Sequence, residues 1–559
     1  MASTRSLLRC SSGCTPSVRV HQTLFAVITA ISLLQPANAQ AGQPPVRPPL
    51  PPPFAEQGNG VPPQEFRGSP DLSSREFPGD SAYEPTVAAH PFEPNTIALL
   101  YQGHESFMHC GIGSVIRISH DGGATWATSP GQPAARSGRG QNFHATLTWG
   151  PGPTPGSARL YWIDTTVPGC AYSQHSVTIS WSDDEGATWS TPYIERRTAP
   201  WLGGMPQIFT DNNPSSPGYG RVFAIYNYLD PDGGGAAMGV LASSDFGVTW
   251  RAAASVPAAS RDKGCNYSWR IGLRGAVGLD GTFYASGFQA DLRSWSTLKP
   301  FLRGGGGNVC RIGFTVTAVT LSENGESLTV GETRRALDSS RSALSLSGGA
   351  WQPGTPGVIV DPAWAFGIAV DPTSGALMLA VGDQRANPPP NEARGVVKVG
   401  RSGDGGITWS WQTLPSITLA GSPRNGAGIA TSFRPTLAIC ANGNMAIGMR
   451  VITDADRIRT SRPSIRVAAF VSVSTDNGTT WARPVEVSRL RYNPAVLGLT
   501  QDGPGLHDSI SCLADGRVVY AYGDARDGAP AGRGRGRMSV YLTVFDPGYR
   551  RSATLPRYY

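Results

Sequence analysis

Charged residues make up only 16% of this 559-residue chain, yet many of its ionisable side chains fall at one kind of place. Glu84, His144, Arg274, Arg434, His507 and Asp508 stand at or beside the start of short apolar segments. Asp164, Asn227, Asp383, Arg450, Asp524 and Arg526 stand at or near the end of the apolar segments that follow. If those ends meet, guanidinium, imidazole and carboxylate groups converge on one mouth. Guanidinium forks grip carboxylates, and a His or a carboxyl group can move a proton. Such a set suits an anionic or polyhydroxylated ligand. The competing use of each single residue is to hydrogen-bond the loops around it.

The elements that would position these groups repeat along the chain. An apolar strand, a turn and a second apolar strand recur seven times, from Glu84, Phe143, Met205, Arg274, Phe366, Arg434 and His507. A second repeat, Ser-x-Asp-x-Gly-x-Thr-Trp, follows most of these hairpins. It occurs at Ser119–Trp126, Ser182–Trp189, Ser243–Trp250, Ser402–Trp409 and Ser474–Trp481. The interval from Asp245 to Asp404 is more than twice the others, and Leu321–Leu328 fills it as a worn copy with Glu323 in the Asp place. The residue types suit a tight turn. Ser and Asp accept hydrogen bonds from turn amides. Gly takes a positive φ, Thr enters the next strand, and Trp buries a large area.

This octapeptide is the Asp-box, or BNR repeat, and the chain from about residue 80 resembles the Asp-box sialidase-like propellers. The resemblance implies an all-β fold, a β-propeller of four-stranded antiparallel blades. Seven hairpins favour seven blades, with six as the alternative. A strand from near residue 70 would complete the last blade and leave no open sheet edge. If the two strands of each hairpin are called A and B, then in such propellers the starts of the A strands and the ends of the B strands surround the active site. Residues Phe433 to Trp481 also resemble a sialidase's first blade, although here the blade is the sixth and the Ile of its Arg-Ile-Pro motif is absent. The resemblance implies that Arg434 binds a carboxylate, that Arg450 ends strand B, and that Asp454 or Asp456 is the acid/base. Arg274 is the candidate for a further arginine. Tyr522 and Glu84 are the candidates for a nucleophile and its base. The function expected is binding and hydrolysis of an acidic glycan. The alternatives are a non-catalytic carbohydrate- or protein-binding propeller, and a polysaccharide lyase with His144 or His507 as base.

Composition narrows the rest. The formal charge is +7, but Lys occurs only at Lys263, Lys299 and Lys398, and the arginines are scattered, which argues against nucleic acid as the partner. Residues 1–39 read as a signal peptide, with an apolar run at Leu24–Leu34 and a small-x-small site at Ala37–Ala39. Residues 40–66 read as a Pro-rich linker and 67–559 as the propeller. The expected location is secreted or periplasmic, as a monomer, with no membrane span, no metal and no cofactor. Cys110, Cys170, Cys265, Cys310, Cys440 and Cys512 remain after cleavage. Sequential pairing is preferred, each bridge joining neighbouring repeats.

Overall fold

The computed structural model describes residues 63–69, 81–104, 113–130, 141–167, 176–195, 206–230, 235–261, 264–293, 309–339, 366–384, 395–417, 431–453, 466–492, 508–526 and 538–548. Among these residues every regular element is a strand. No helix there is long and apolar enough to cross a membrane.

The strands form seven antiparallel blades, each with four strands named A to D from the axis outward. The A strands are Ser81–Ala89, Gln141–Pro151, Gln207–Thr210, Tyr267–Val277, Gly367–Val370, Thr431–Ile439 and Ser509–Cys512. Each A strand packs against the next, and the seventh packs against the first, so the ring is closed. Blades 3 and 4 are also joined by a short parallel bridge, Gly235 with Ser268 and Ala236 with Trp269. Blade 4 has a divided outer edge: Leu328–Val330 and Arg334–Ser339 both pair with its long C strand, Val309–Leu321.

Blade 7 takes its D strand from the other end of the chain. Gln64–Arg67 pairs antiparallel with Ser539–Phe545, beginning with Gln64 opposite Val544. The closing strand therefore lies slightly before the expected position and uses the end of the segment read as linker. Pairing removes the last open edge.

The core consists of seven apolar layers, one between each pair of neighbouring blades. Alternation along each strand produces this arrangement, because successive side chains point to opposite faces of a sheet and each face meets a different neighbour. The octapeptides close the layers. Each lies between strands C and D, and its Trp packs against the preceding blade. Trp189 joins the layer between blades 1 and 2, Trp250 that between 2 and 3, and Trp481 that between 5 and 6.

Within each octapeptide the Asp carboxylate organises the turn. In Ser119–Trp126, Asp121 accepts from the Thr125 amide at 2.8 Å and the Thr125 hydroxyl at 2.6 Å, while Ser119 Oγ donates to it at 2.9 Å. Gly123 has φ of 101°, and its amide donates to Ser119 Oγ at 2.8 Å. The worn copy keeps Gly325 at φ of 72° but moves the polar role by one residue. Asn324 and Ser322 make the turn's side-chain bonds in place of Glu323.

Two disulfides follow the sequential pairing. Cys440–Cys512 joins blade 6 to blade 7 as expected. Cys265–Cys310 corrects the expectation that each bridge joins neighbouring blades: it lies within blade 4, from the approach to strand A to strand C. Cys110 and Cys170 lie outside the described residues.

The turn carboxylates give the fold an acid limit. Hydrogen bonds from Thr125 hold Asp121 down at about 2, and those from Thr408 hold Asp404 lower still. At Asp184, Asp245 and Asp476 partial burial pushes upward, but the Thr and Ser bonds outweigh it and the net shift is downward. A depressed folded pKa stabilises above the unfolded value and loses that contribution as pH falls through the folded one. The thermal midpoint is therefore expected to fall as pH drops from about 4 toward about 2. Replacing Asp121, Asp184 and Asp245 by Asn should flatten that limb in a calorimetric pH series. An unchanged limb would remove these carboxylates as its cause.

Candidate functional site

Three A strands carry the same irregularity at the same place. Registers shift between Tyr83 and Thr86, between Phe143 and Thr146, and between Phe433 and Thr436. Inside these bulges Glu84, His144 and Arg434 have φ of 52°, 55° and 52°, the left-handed region that disfavours side chains. Blade 4 repeats the bulge between Ile271 and Arg274 but puts Gly272 at the left-handed position, with φ of 62°. Bulges bend a strand and re-aim side chains, and strained backbone concentrates at functional sites. The bulges lie at the starts of the A strands of blades 1, 2, 4 and 6 and correct the sequence alignment. Arg274 corresponds to Thr86, Thr146 and Thr436, and the counterpart of Arg434 in blade 4 is Gly272.

Adjacent bulges bring Glu84 and His144 together. His144 Nδ1 lies 3.2 Å from Glu84 Oε2. Glu84 is buried, while the His144 side chain keeps 22% of its surface exposed. An ionised carboxylate only accepts, so a Glu84 carboxylate takes its hydrogen bond from a protonated Nδ1. The arrangement is that of an imidazole oriented by a carboxylate, suited to general base or general acid work.

Arg434 is buried beneath the mouth. Arg274 is half-buried and reaches blade 5, where its Nε donates to the Phe366 carbonyl at 3.1 Å. Burial pushes its guanidinium down to about 10. Asp383 pairs with Lys398 at 2.6 Å. Asp164 is buried and accepts from Thr166 Oγ1 at 3.0 Å, and Asn227 is buried nearby in the chain order of B strands. Asp454, Asp456 and His507 lie outside the described residues.

Other expected site residues bind one another between blades 6 and 7. Arg450 forms a two-pronged pair with Asp508, at 2.7 and 2.6 Å, and donates to Tyr492 Oη at 2.6 Å. Tyr520 Oη also donates to Asp508, at 2.9 Å. Burial favours loss of the Arg450 charge, but Asp508 outweighs it and the guanidinium is held strongly protonated. Further out, Tyr522 donates to Glu65 on the closing strand. Arg526 bonds Glu65 at 2.7 and 2.9 Å and reaches back to Asp524 at 2.9 Å through Nε. Tyr522 thus meets Glu65, where the sequence paired it with Glu84. Burial and the Glu65 charge push its phenol well above the usual range, opposite to the shift a nucleophile needs.

Sequence reading missed Glu65, Tyr492 and Lys398. Glu65 has no motif around it. The bulge did leave a signal, the parallel triplets Glu84-Pro85-Thr86, His144-Ala145-Thr146 and Arg434-Pro435-Thr436.

No family model matches the sequence, and no curated protein matches it. Solved structures do align with it. The α-L-arabinofuranosidase Arb93A of Fusarium graminearum, complexed with an iminosugar inhibitor, is 11% identical and aligns over 74% of this chain and 97% of its own, with a TM-score of 0.41. The endosialidase of phage phi92 is 10% identical over 89% of this chain and 70% of its own, with a TM-score of 0.42. The Hadza microbial sialidase Hz136 is 14% identical over 66% and 63%, with a TM-score of 0.37. Likenesses this distant carry no chemistry to this chain, and the propeller assignment rests on the strand order.

The pairing separates residues that hold the ring from those that face a ligand. Arg450→Ala leaves Asp508 buried without its cation and is expected to destabilise by about 3–5 kcal/mol. His144→Ala, at a part-exposed position, should stay within about 1 kcal/mol of the parent. Denaturant midpoints of the two variants check this, and equal losses would show that His144 is also structural.

Proposed function

We propose that the mature chain is an exported, Asp-box sialidase-like propeller that takes an acidic glycan at its mouth and cleaves it by proton transfer through the Glu84–His144 pair. The observation that carries this reading is the pair itself: two side chains from adjacent A strands, each on a left-handed bulge, joined at 3.2 Å with the imidazole reaching solvent. Arg274 on blade 4 and the buried Arg434 on blade 6 are the cations assigned in this reading to a glycan carboxylate. A glycosidase would use His144 or a neighbouring carboxyl group as the proton donor to the leaving oxygen.

A second reading has a specific observation in its favour. A histidine oriented by a carboxylate is also the base that a polysaccharide lyase needs to take the proton beside a uronate carboxylate. The assignment of Tyr522 to the blade 7 joint further separates this chain from a retaining sialidase, which attacks through a Tyr activated by its Glu partner.

The deciding assay incubates the chain from residue 40 onward with fluorogenic glycosides, sialosides included, and with uronate polysaccharides. Free sugar release supports hydrolysis, and the ultraviolet absorbance of an unsaturated uronate supports elimination. Either activity is expected to fall at least about 100-fold in His144→Ala and in Glu84→Gln. Glycan-array binding without turnover, lost in Arg274→Ala, would make the mouth a binding site only. The absence of both turnover and binding would overturn the proposal.

A further inference from the structure

The layer between blades 3 and 4 is apolar over most of its depth, but its mouthward end is charged. Ser268 and Arg270 at the start of strand A, Gln289 and Asp291 at the end of strand B, Thr315 on strand C and Arg335 on the outer edge share one face there. Arg270, Gln289 and Asp291 are fully buried, and Arg335 keeps only 8% of its side chain exposed. Blade 3 covers them. Arg270 Nη1 donates to the Val256 and Pro257 carbonyls, each at 3.0 Å. Gln289 accepts from the Ala259 amide at 2.9 Å and donates to its carbonyl at 3.1 Å.

Counting hydrogens shows what this group lacks. Asp291 accepts from Ser268 Oγ and Gln289 Nε2, both at 2.8 Å, and from Arg335 Nη2. Arg270 Nη2 donates to Thr315 Oγ1 at 3.2 Å, and the hydroxyl spends its own hydrogen on the Gly287 carbonyl at 3.0 Å. What is left over is of one kind. Arg270 Nε, Arg335 Nε and Arg335 Nη1 are buried N–H donors with no hydrogen-bond partner among the described residues. Thr315 sets the two guanidinium groups around one point, since it stands opposite Arg335 in the register and bonds Arg270.

The charges are as one-sided as the donors. Burial, with the Arg335 charge beside it, pushes the Arg270 guanidinium down to about 10, which leaves it charged at neutral pH. Among the described residues Asp291 is the one carboxylate that either arginine bonds, so two cations share one anion. A buried charge without a counterion is strongly destabilising, and buried donors without acceptors call for a water or an ion. The leftover set chooses between these. A water would bring two hydrogens of its own and no charge. A halide only accepts, and its charge balances the second guanidinium.

We propose that the mouthward end of this layer binds one small inorganic anion of the chloride class, held between Arg270 and Arg335 by their unpartnered N–H groups. The anion completes the seam between blades 3 and 4. It lies in a different layer from Glu84 and His144, which meet between blades 1 and 2, and it stands independently of the glycan reading.

The test uses the chain from residue 40 onward, dialysed into sodium gluconate, with sodium chloride titrated in at constant ionic strength. The thermal midpoint is expected to rise saturably, as for a ligand that binds the folded state alone, and sodium bromide should act alike. Arg270→Met and Arg335→Met each leave one guanidinium for Asp291, and each should remove the chloride-dependent rise, whatever it does to the midpoint in gluconate. Asp291→Asn leaves both cations without a carboxylate and should tighten chloride binding at least about 10-fold, a gain that a merely weakened layer would not give. Arg334→Ala, at an exposed neighbour paired with Glu332, should leave the rise intact. Crystals of the parent grown in bromide should show an anomalous peak in contact with both guanidinium groups, a readout that needs no variant to fold. A midpoint indifferent to chloride, a rise kept in both Met variants, or a water in place of the bromide peak would each overturn the assignment. None of these results depends on turnover at the mouth.

Discussion

The joint at blade 7 decides whether the seven sheets are a ring or an open row. Glu65, brought from the start of the described chain, meets Tyr522 and Arg526 from a blade otherwise built from the end of it. Main-chain pairing from Gln64 to Arg67 supplies the ladder, and the buried charges fix its register. A one-residue slip would turn Glu65 away from Arg526 and Tyr522 and leave Asp524 as the guanidinium's remaining carboxylate. Just inward, Arg450 and Asp508 repeat the device across the same two blades, and Cys440–Cys512 ties them covalently on the other face. Several short charged bonds are therefore gathered at the joint, between strands far apart in the chain.

That concentration explains what the sequence could and could not reveal. Hairpin periodicity and octapeptides are local signals, and they sufficed for the fold, the blade number and two disulfide pairings. The use of a charged residue is not local. Arg450, Asp508, Tyr522, Asp524 and Arg526 occupy the strand ends where a ligand site was expected, but each meets a partner more than forty residues away or on the next blade, or sits beside one that does. No sequence pattern announces such partners. The register of Arg274 failed for a related reason. A bulge inserts residues that oppose nothing, so an alignment anchored on the arginine rather than on Gly272 slips by the length of the bulge.

What remains at the mouth is smaller and better defined than the charged ring read from the sequence. Glu84 and His144 are held by left-handed backbone at a cost of about 1–2 kcal/mol each, and Gly272 shows how a blade avoids that cost when it presents no side chain there. The closed layers between blades are what can sustain this strain, since each A strand is clamped on both faces.

The path of the closing strand has an outcome for how the molecule is presented. As a D strand, Gln64–Arg67 runs from the octapeptide face toward the mouth, and its C-strand partner Ser539–Phe545 runs the opposite way. The chain thus enters the ring at Gln64 and leaves strand C after Phe545 on one and the same side. Both ends of the described closing pair thus depart from the face opposite Glu84 and His144.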